Sequence, residues 1–124
     1  MALQIAIRES GEVTILDLQG RATISDGECD LLRVKLEELL ASGVRKVLLN
    51  LADLTQVDSA GFSIVAKVCV TLRDQGGDLR FVGPNGGRAL IAFKVLRLLD
   101  MIPTFDNEND AVASFRPKSS VAPA

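Results

Sequence analysis

The residues best suited to chemistry stand together in Asp58-Ser59-Ala60-Gly61-Phe62, where a polar segment gives way to an apolar helical pattern. The first backbone N–H groups of a helix have no partners within it, so an oxygen of Asp58 or Ser59 can cap them. The position also suits a regulated serine, because a phosphate there meets free N–H donors and the positive end of the helix dipole. A phosphate adds about −1.5 to −2 charges, and its effect is expected across an interface with another protein.

An enzymatic role for Ser59 would require more than the hydroxyl. A nucleophilic serine needs a neighbouring base, and Asp58 or Lys67 would have to assist. The chain contains no histidine, which is the commonest general base and a common zinc ligand. We therefore predict no catalytic residue, and the chain is not predicted to be an enzyme.

Two other segments invite a ligand-binding interpretation. Asp53 and Asp58 could pair on a metal ion, although a solvated loop face explains them more simply. Residues 83–88, Gly-Pro-Asn-Gly-Gly-Arg, lack the spaced Gly-Lys-Ser/Thr of a nucleotide-binding loop and predict an ordinary strand-to-helix loop. No metal and no cofactor is predicted, and the residues leave open whether a small ligand binds.

The charge balance argues against nucleic acid and membrane partners. The 14 basic and 16 acidic residues give a formal net charge of −2, so no basic field is available for phosphates. No apolar run approaches the roughly 20 residues that span a bilayer, and residues 1–4 do not resemble the start of an export signal. Cys29 and Cys69 lie in apolar-periodic segments and are predicted to be buried thiols in a reducing compartment. We expect a cytoplasmic protein.

Hydrophobic periodicity predicts the elements that position Ser59. Residues 3–8 alternate in the manner of a half-buried strand, and Ser10-Gly11 turns the chain into a hairpin partner at Val13–Leu18. A helix near 28–41 should end at Ser42-Gly43, with Gly43 in the left-handed region. Further helices are predicted from 62 to the stop at 76–77, at 88–99 and at 109–115, and further strands at 47–49, 79–82 and 104–105, with 51–57 as a connection. This order predicts an α/β fold in which helices pack against a mixed sheet.

The segment from Asn50-Leu51 through Asp58-Ser59-Ala60-Gly61-Phe62 resembles the strand–loop–helix signature of the STAS domain, shared by sulphate transporters and anti-sigma factor antagonists. The resemblance covers roughly residues 3–115 and includes the hairpin ending at Gly20 and the turn at 75–79. It implies a mixed four- to five-stranded sheet with an opening β-hairpin and about four helices packed against it. A STAS-like domain is thus expected over 1–115, followed by a disordered tail over 116–124.

The resemblance implies an anti-sigma factor antagonist with Ser59 as its phosphoacceptor. Such a protein binds an anti-sigma factor that is also a serine kinase, is released by phosphorylation, and is reset by a serine phosphatase. Thr23 stands where many antagonists carry an acidic residue, and Asp26 could replace that carboxylate or cap the next helix. The implied partner-binding residues are Thr23, Asp58, Ser59, Ala60, Gly61 and Phe62. The alternative is a non-catalytic STAS interaction module in another sensory or transport complex, and the oligomeric state stays open.

Overall fold

In the computed structural model, which describes residues 4–22, 28–57, 59–83 and 102–115, five strands form one sheet in chain order. The strands are β1 (Gln4–Ser10), β2 (Val13–Ala22), β3 (Lys46–Val57), β4 (Asp78–Val82) and β5 (Thr104–Phe105). The helices among the described residues are α1 (Glu28–Ala41), α2 (Ser59–Asp74) and α3 (Glu108–Ala113). The predicted helix at 88–99 and the predicted tail at 116–124 lie outside the described residues.

The sheet is mixed because its first connection differs from the others. β1 and β2 form an antiparallel hairpin, whereas β2, β3, β4 and β5 run parallel to one another. Parallel neighbours need a crossover, and α1 and α2 provide the crossovers from β2 to β3 and from β3 to β4. The predicted α/β fold with an opening hairpin is confirmed.

α1 ends where the glycine pattern predicts. Gly43 adopts φ 94°, the left-handed region that favours glycine. This turn lets the backbone N–H of Gly43 donate to the carbonyl of Leu40 at 3.2 Å, and that of Val44 donate to the carbonyl of Leu39 at 3.1 Å. The last carbonyls of the helix are therefore satisfied as the chain enters β3.

The core lies on both faces of the sheet because side chains alternate along each strand. On one face, Leu49 and Leu51 of β3 are buried beneath α1 and α2, together with Leu16, Leu18, Leu36, Leu72, Leu79 and Phe81. On the opposite face, Leu48 lies in a second cluster that includes residues of α3 and the turn after it. Its other members are Val13, Ile15, Val82, Ala111 and Phe115. The prediction that 47–49 is covered on both faces is confirmed.

Two sequence-based predictions need correction. The segment 51–57, predicted as a connection, continues strand β3 to Val57, because β2 also extends to Ala22 and pairs with it. β1 is a strand as predicted but is not half-buried: Ile5 is partly buried, while Ile7 is 45% exposed. The reason is its position at the edge of the sheet, where nothing among the described residues covers its outer side.

A charged network ties the opening hairpin to α3. Arg8 Nε donates to Asp17 Oδ2 at 2.6 Å, and Arg8 Nη2 donates to Glu108 Oε1 at 2.6 Å. Asn50 Nδ2 donates to the other oxygen of Asp17 at 2.8 Å. Hydrogen bonds from Arg8 hold the pKa of Asp17 below its usual value, although partial burial opposes the shift. Asp17 therefore links β2 to β1 and β3, and Arg8 links β1 to α3.

The structure describes the side chain of one of the two cysteines, Cys69. Cys69 on α2 is a free thiol with no exposed surface, and burial raises its pKa. Its predicted burial is confirmed, whereas the side chain of Cys29 is not among those that the structure describes. Within the described ranges, no helix combines the length and apolar character needed to cross a membrane.

Candidate functional site

Ser59 is the first residue of α2. Strand β3 ends at Val57, so a single residue, Asp58, joins strand to helix, and that residue lies outside the described ones. The predicted location of Ser59 at a helix start is confirmed for the backbone. The orientation of its hydroxyl, and the roles of Asp58 as cap or contact residue, stay predictions.

The first turn of α2 is electrostatically suited to an anion. Residues Ser59, Ala60, Gly61 and Phe62 include no carboxylate, and the last turn carries Arg73. The positive end of a 16-residue helix therefore lies at Ser59, and the nearest acidic residue in the sequence is Asp58, which precedes the helix. Free N–H groups at such an end bind phosphate oxygens.

The buried side of α2 holds this helix start in place. Gly61 is buried within the first turn. Further along, Val65, Val68, Cys69 and Leu72 recur at helical spacing and enter the core beside β3 and β4. Each buried aliphatic side chain of this size contributes about 1.5–3 kcal/mol. The predicted apolar stripe of the second helix is confirmed for these four residues.

The end of β2 lies directly beside the end of β3. Gly20 pairs with Leu54, and Ala22 pairs with Val57, in a parallel register. Thr23 follows Ala22 and lies outside the described residues, as does Asp26. Because adjacent strands are about 4.8 Å apart, β2 ends at Ala22 directly beside the end of β3 at Val57.

Two irregularities bring these strand ends into line. The register between β2 and β3 shifts between Asp17 and Gln19 and again between Gly20 and Arg21. As a result the 12 residues of β3 run beside only 10 residues of β2. Gly20 adopts φ 97°, in the left-handed region, at the second shift. Such bulges bend a strand, here at the end of β2 that precedes Thr23.

A groove between α1 and α2 was not foreseen from the sequence. It encloses about 370 Å³ and is lined by Arg33, Glu37 and Leu40 of α1 and by Ser63, Ile64, Lys67, Val68 and Thr71 of α2. Ser63 is exposed one turn after Ser59, so the groove begins close to the helix start. The i,i+4 ion pair of Arg33 with Glu37, at 3.2 Å, forms its rim on α1. Only the packing of the two helices creates this surface.

Of the residues considered for catalysis and metal binding, Lys67 and Asp53 are among the described residues and Asp58 is not. Lys67 is exposed on α2 eight positions along the helix, which is about 12 Å at 1.5 Å per residue, so it does not stand beside Ser59 as a base. Asp53 is exposed on β3 and borders the polar face that contains Asp17 and Asn50. Among the described residues, no three acidic, cysteine or histidine side chains form a potential metal site.

Comparisons with known proteins agree with this geometry. The model of the STAS domain family matches residues 4–111. No curated protein matches the sequence. Among solved structures, TM1081 from Thermotoga maritima has a TM-score of 0.81 at 20% identity, with 91% of this chain and 95% of that chain covered. An anti-sigma factor antagonist from Mycobacterium paratuberculosis has a TM-score of 0.78 at 15% identity, with 94% and 96% covered.

A third similar protein, the anti-sigma factor antagonist SpoIIAA, is known in two chemical forms. Its unphosphorylated form has a TM-score of 0.68 at 17% identity, covering 91% of this chain and 96% of that one. Its phosphorylated form, from Bacillus, has a TM-score of 0.67 at 19% identity, covering 93% and 100%. At these identities the shared feature is the fold.

Proposed function

The chain belongs to the STAS domain family, and from this premise we propose that it is an anti-sigma factor antagonist switched by phosphorylation of Ser59. When unphosphorylated, it binds an anti-sigma factor that is also a serine kinase. Phosphorylation of Ser59 by that kinase releases it, and a serine phosphatase restores the binding form. It acts in the cytoplasm, regulates transcription by exchanging partners, and catalyses no reaction itself.

The observation that carries this proposal is the start of α2 at Ser59, one residue beyond the end of β3, in a first turn without a carboxylate. An added phosphate would be stabilised there by backbone N–H groups and by the helix dipole. The domain itself should therefore tolerate the modification. The existence of SpoIIAA structures in both phosphorylation states supports the same chemistry for this chain.

The effect of the phosphate is instead expected at the interface with the partner. A docked protein that covers Ser59 would have to bury a group carrying about two negative charges. Burying such a charge without a matched partner costs several kcal/mol, which is enough to weaken binding by more than a hundredfold. One modification can thus release the partner while the fold remains intact.

The partner is proposed to contact the strand–helix junction and the neighbouring loop. The pairing of Ala22 with Val57 supports a single surface built from both. The residues assigned to this surface are Thr23, Asp58, Ser59, Ala60, Gly61 and Phe62. Thr23 provides a hydroxyl where many antagonists have a carboxylate, so the cognate partner is expected to tolerate a neutral residue there.

A paired pull-down tests the partner. Wild-type protein and Ser59→Asp are used as baits in an extract of the source cells, and proteins captured only by the wild type are identified by mass spectrometry. A serine kinase of the anti-sigma factor class is expected in that set. Ser63→Asp is the matched control, because it places the same charge on the same helix one turn away and should retain the partner.

A phosphorylation assay tests the acceptor. The captured kinase and ATP should add one phosphate to wild type and to Ser63→Ala, and none to Ser59→Ala. Phosphate on Ser63, or equal labelling of Ser59→Ala, would refute the assignment. Capture of a transport or sensory complex by both baits alike, without a kinase, would instead favour a non-catalytic STAS interaction module.

A further inference from the structure

The outer edge of β1 lacks most of the features that normally protect an edge strand. Natural sheets discourage edge pairing with proline, bulges, short strands or charged side chains, and of these β1 has only the charged residues Arg8 and Glu9. β1 has seven residues, contains neither proline nor glycine, and pairs with β2 in an uninterrupted register. Within the described residues, no second strand pairs with it. Its outer backbone N–H and C=O groups are therefore positioned to accept another strand.

The side chains of β1 also favour pairing. Ile7, at the centre of the strand, is 45% exposed and therefore available for burial by an approaching strand. The positive charge of Arg8 is directed onto the sheet, where it is neutralised by Asp17 and Glu108. Arg8 would thus not present an unpaired positive charge to a strand that approaches β1.

The sequence of β1 complements itself in one antiparallel register. Two directly opposed residues of an antiparallel pair either both direct their N–H and C=O groups toward the other strand or both direct them away from it. These two kinds of pair alternate along the strands. In a two-fold pair of identical strands, one residue must therefore lie directly opposite its own copy, with the axis midway between the two. With the axis at Ile7, all seven residues pair: Ile7 faces the partner's Ile7, Ala6 faces Arg8, Ile5 faces Glu9, and Gln4 faces Ser10. No like charges are opposed.

The neighbouring registers are poorer. An axis at Arg8 would place two arginines directly opposite each other, and like charges in this position destabilise a strand pair. An axis at Ala6 would pair only five of the seven residues of Gln4–Ser10. The complementarity therefore points to a second copy of this chain, with Ile7 on the axis.

Helix α1 extends the apolar surface above this edge. α1 packs over β2, whereas α2 packs over β3 and β4, so α1 is the helix nearer to β1. Leu31 is 41% exposed and lies about half a turn around α1 from Arg33, which faces the groove shared with α2. Ile7 is opposite Leu16 and so points to the face of the sheet that carries α1 and α2.

We propose that β1 is a self-association surface, through which two copies of this chain join their sheets antiparallel with Ile7 on the two-fold axis. The backbone bonds of the paired strands and burial of the two Ile7 side chains stabilise the contact. The proposal is independent of the switch at Ser59, because β1 is separated from β3 by β2.

Sedimentation velocity over about 1 μM to 1 mM, a range suited to a small strand-edge interface, tests the proposal. The mass of the wild type should rise from 13.3 kDa toward twice that value. Ile7→Lys and Ile7→Glu should each stay monomeric, since each places like charges on the axis. Their equimolar mixture should associate again, because Lys then faces Glu. Val70→Lys changes a 55%-exposed valine on α2 and should associate like the wild type.

The mixing step makes the test specific to the register, and circular dichroism confirms that each variant is folded. A wild type that stays monomeric at the highest concentration would overturn the proposal. So would self-association of Ile7→Lys, loss of association in Val70→Lys, or failure of the mixture to form a heterodimer in native mass spectrometry.

Discussion

Ala22 of β2 and Val57 of β3 are direct neighbours across two parallel strands, and each is the last residue of its strand. The chain leaves the sheet at these two adjacent points, toward Thr23 on one side and toward Asp58 and Ser59 on the other. The relationship explains how segments distant in sequence can form one docking surface. In the proposed function, the geometry of the strand ends therefore contributes to partner binding together with Ser59.

Gly20→Ala is expected to disturb this alignment. Gly20 has φ 97°, and a side chain in the left-handed region costs about 1–2 kcal/mol. The free energy of unfolding, measured by urea denaturation, should fall by that amount, and affinity for the captured partner should fall as well. Gln19→Ala changes the exposed neighbouring residue and should leave both nearly unchanged. Wild-type stability of Gly20→Ala would contradict the expected backbone strain.

Ser59→Asp is expected to leave the domain as stable as the wild type or slightly more stable. The first turn of α2 has no acidic side chain, and a carboxylate at this end of a helix contributes about 0.3–1 kcal/mol at low ionic strength. Thermal melts at low and high salt should show the gain shrinking with salt. The same substitution at Ser63, further into the helix, should give less. Marked destabilisation by Ser59→Asp would show that a charge at this position is not tolerated.

Asp17 should make stability depend on pH in the acid range. Hydrogen bonds from Arg8 lower the pKa of Asp17 in the folded protein, so its contribution is present at neutral pH and is lost as pH falls through the unfolded value and then the folded value. Asp17→Asn should lower the free energy of unfolding by up to about 1 kcal/mol near neutral pH. The difference from wild type should shrink below about pH 4, as measured by urea denaturation at several pH values. A difference that grows in acid would contradict the role of the ionised carboxylate.

Two positions on α2 should respond oppositely to truncation. Leu72 is fully buried, and Val70, two residues earlier, is 55% exposed. Leu72→Ala is expected to cost about 2–5 kcal/mol through lost burial and the cavity it leaves. Val70→Ala should change the free energy of unfolding by less than about 0.5 kcal/mol. Equal effects in chemical denaturation would mean that the helix does not bury one of these residues and expose the other.

The local pattern of the sequence was sufficient to predict most elements near the site. The start of a helix at Ser59 and the end of a helix before Gly43 depend on neighbouring residues, because caps, turns and periodicity act within a few positions. The same local character explains why the opening hairpin was predicted correctly. It also explains an error: the polar residues of 51–57 indicate a connection, and only their pairing with β2 makes them a strand.

Only the tertiary structure decided which distant segments meet. The pairing of Ala22 with Val57, the groove between α1 and α2, and the contact of Arg8 with Glu108 all join residues far apart in the chain. The exposure of Ile7 likewise follows from the position of β1 at the edge of the sheet. Periodicity specifies which face of an element is apolar, but the order of strands and the placement of helices over them arise from the packing of the whole core.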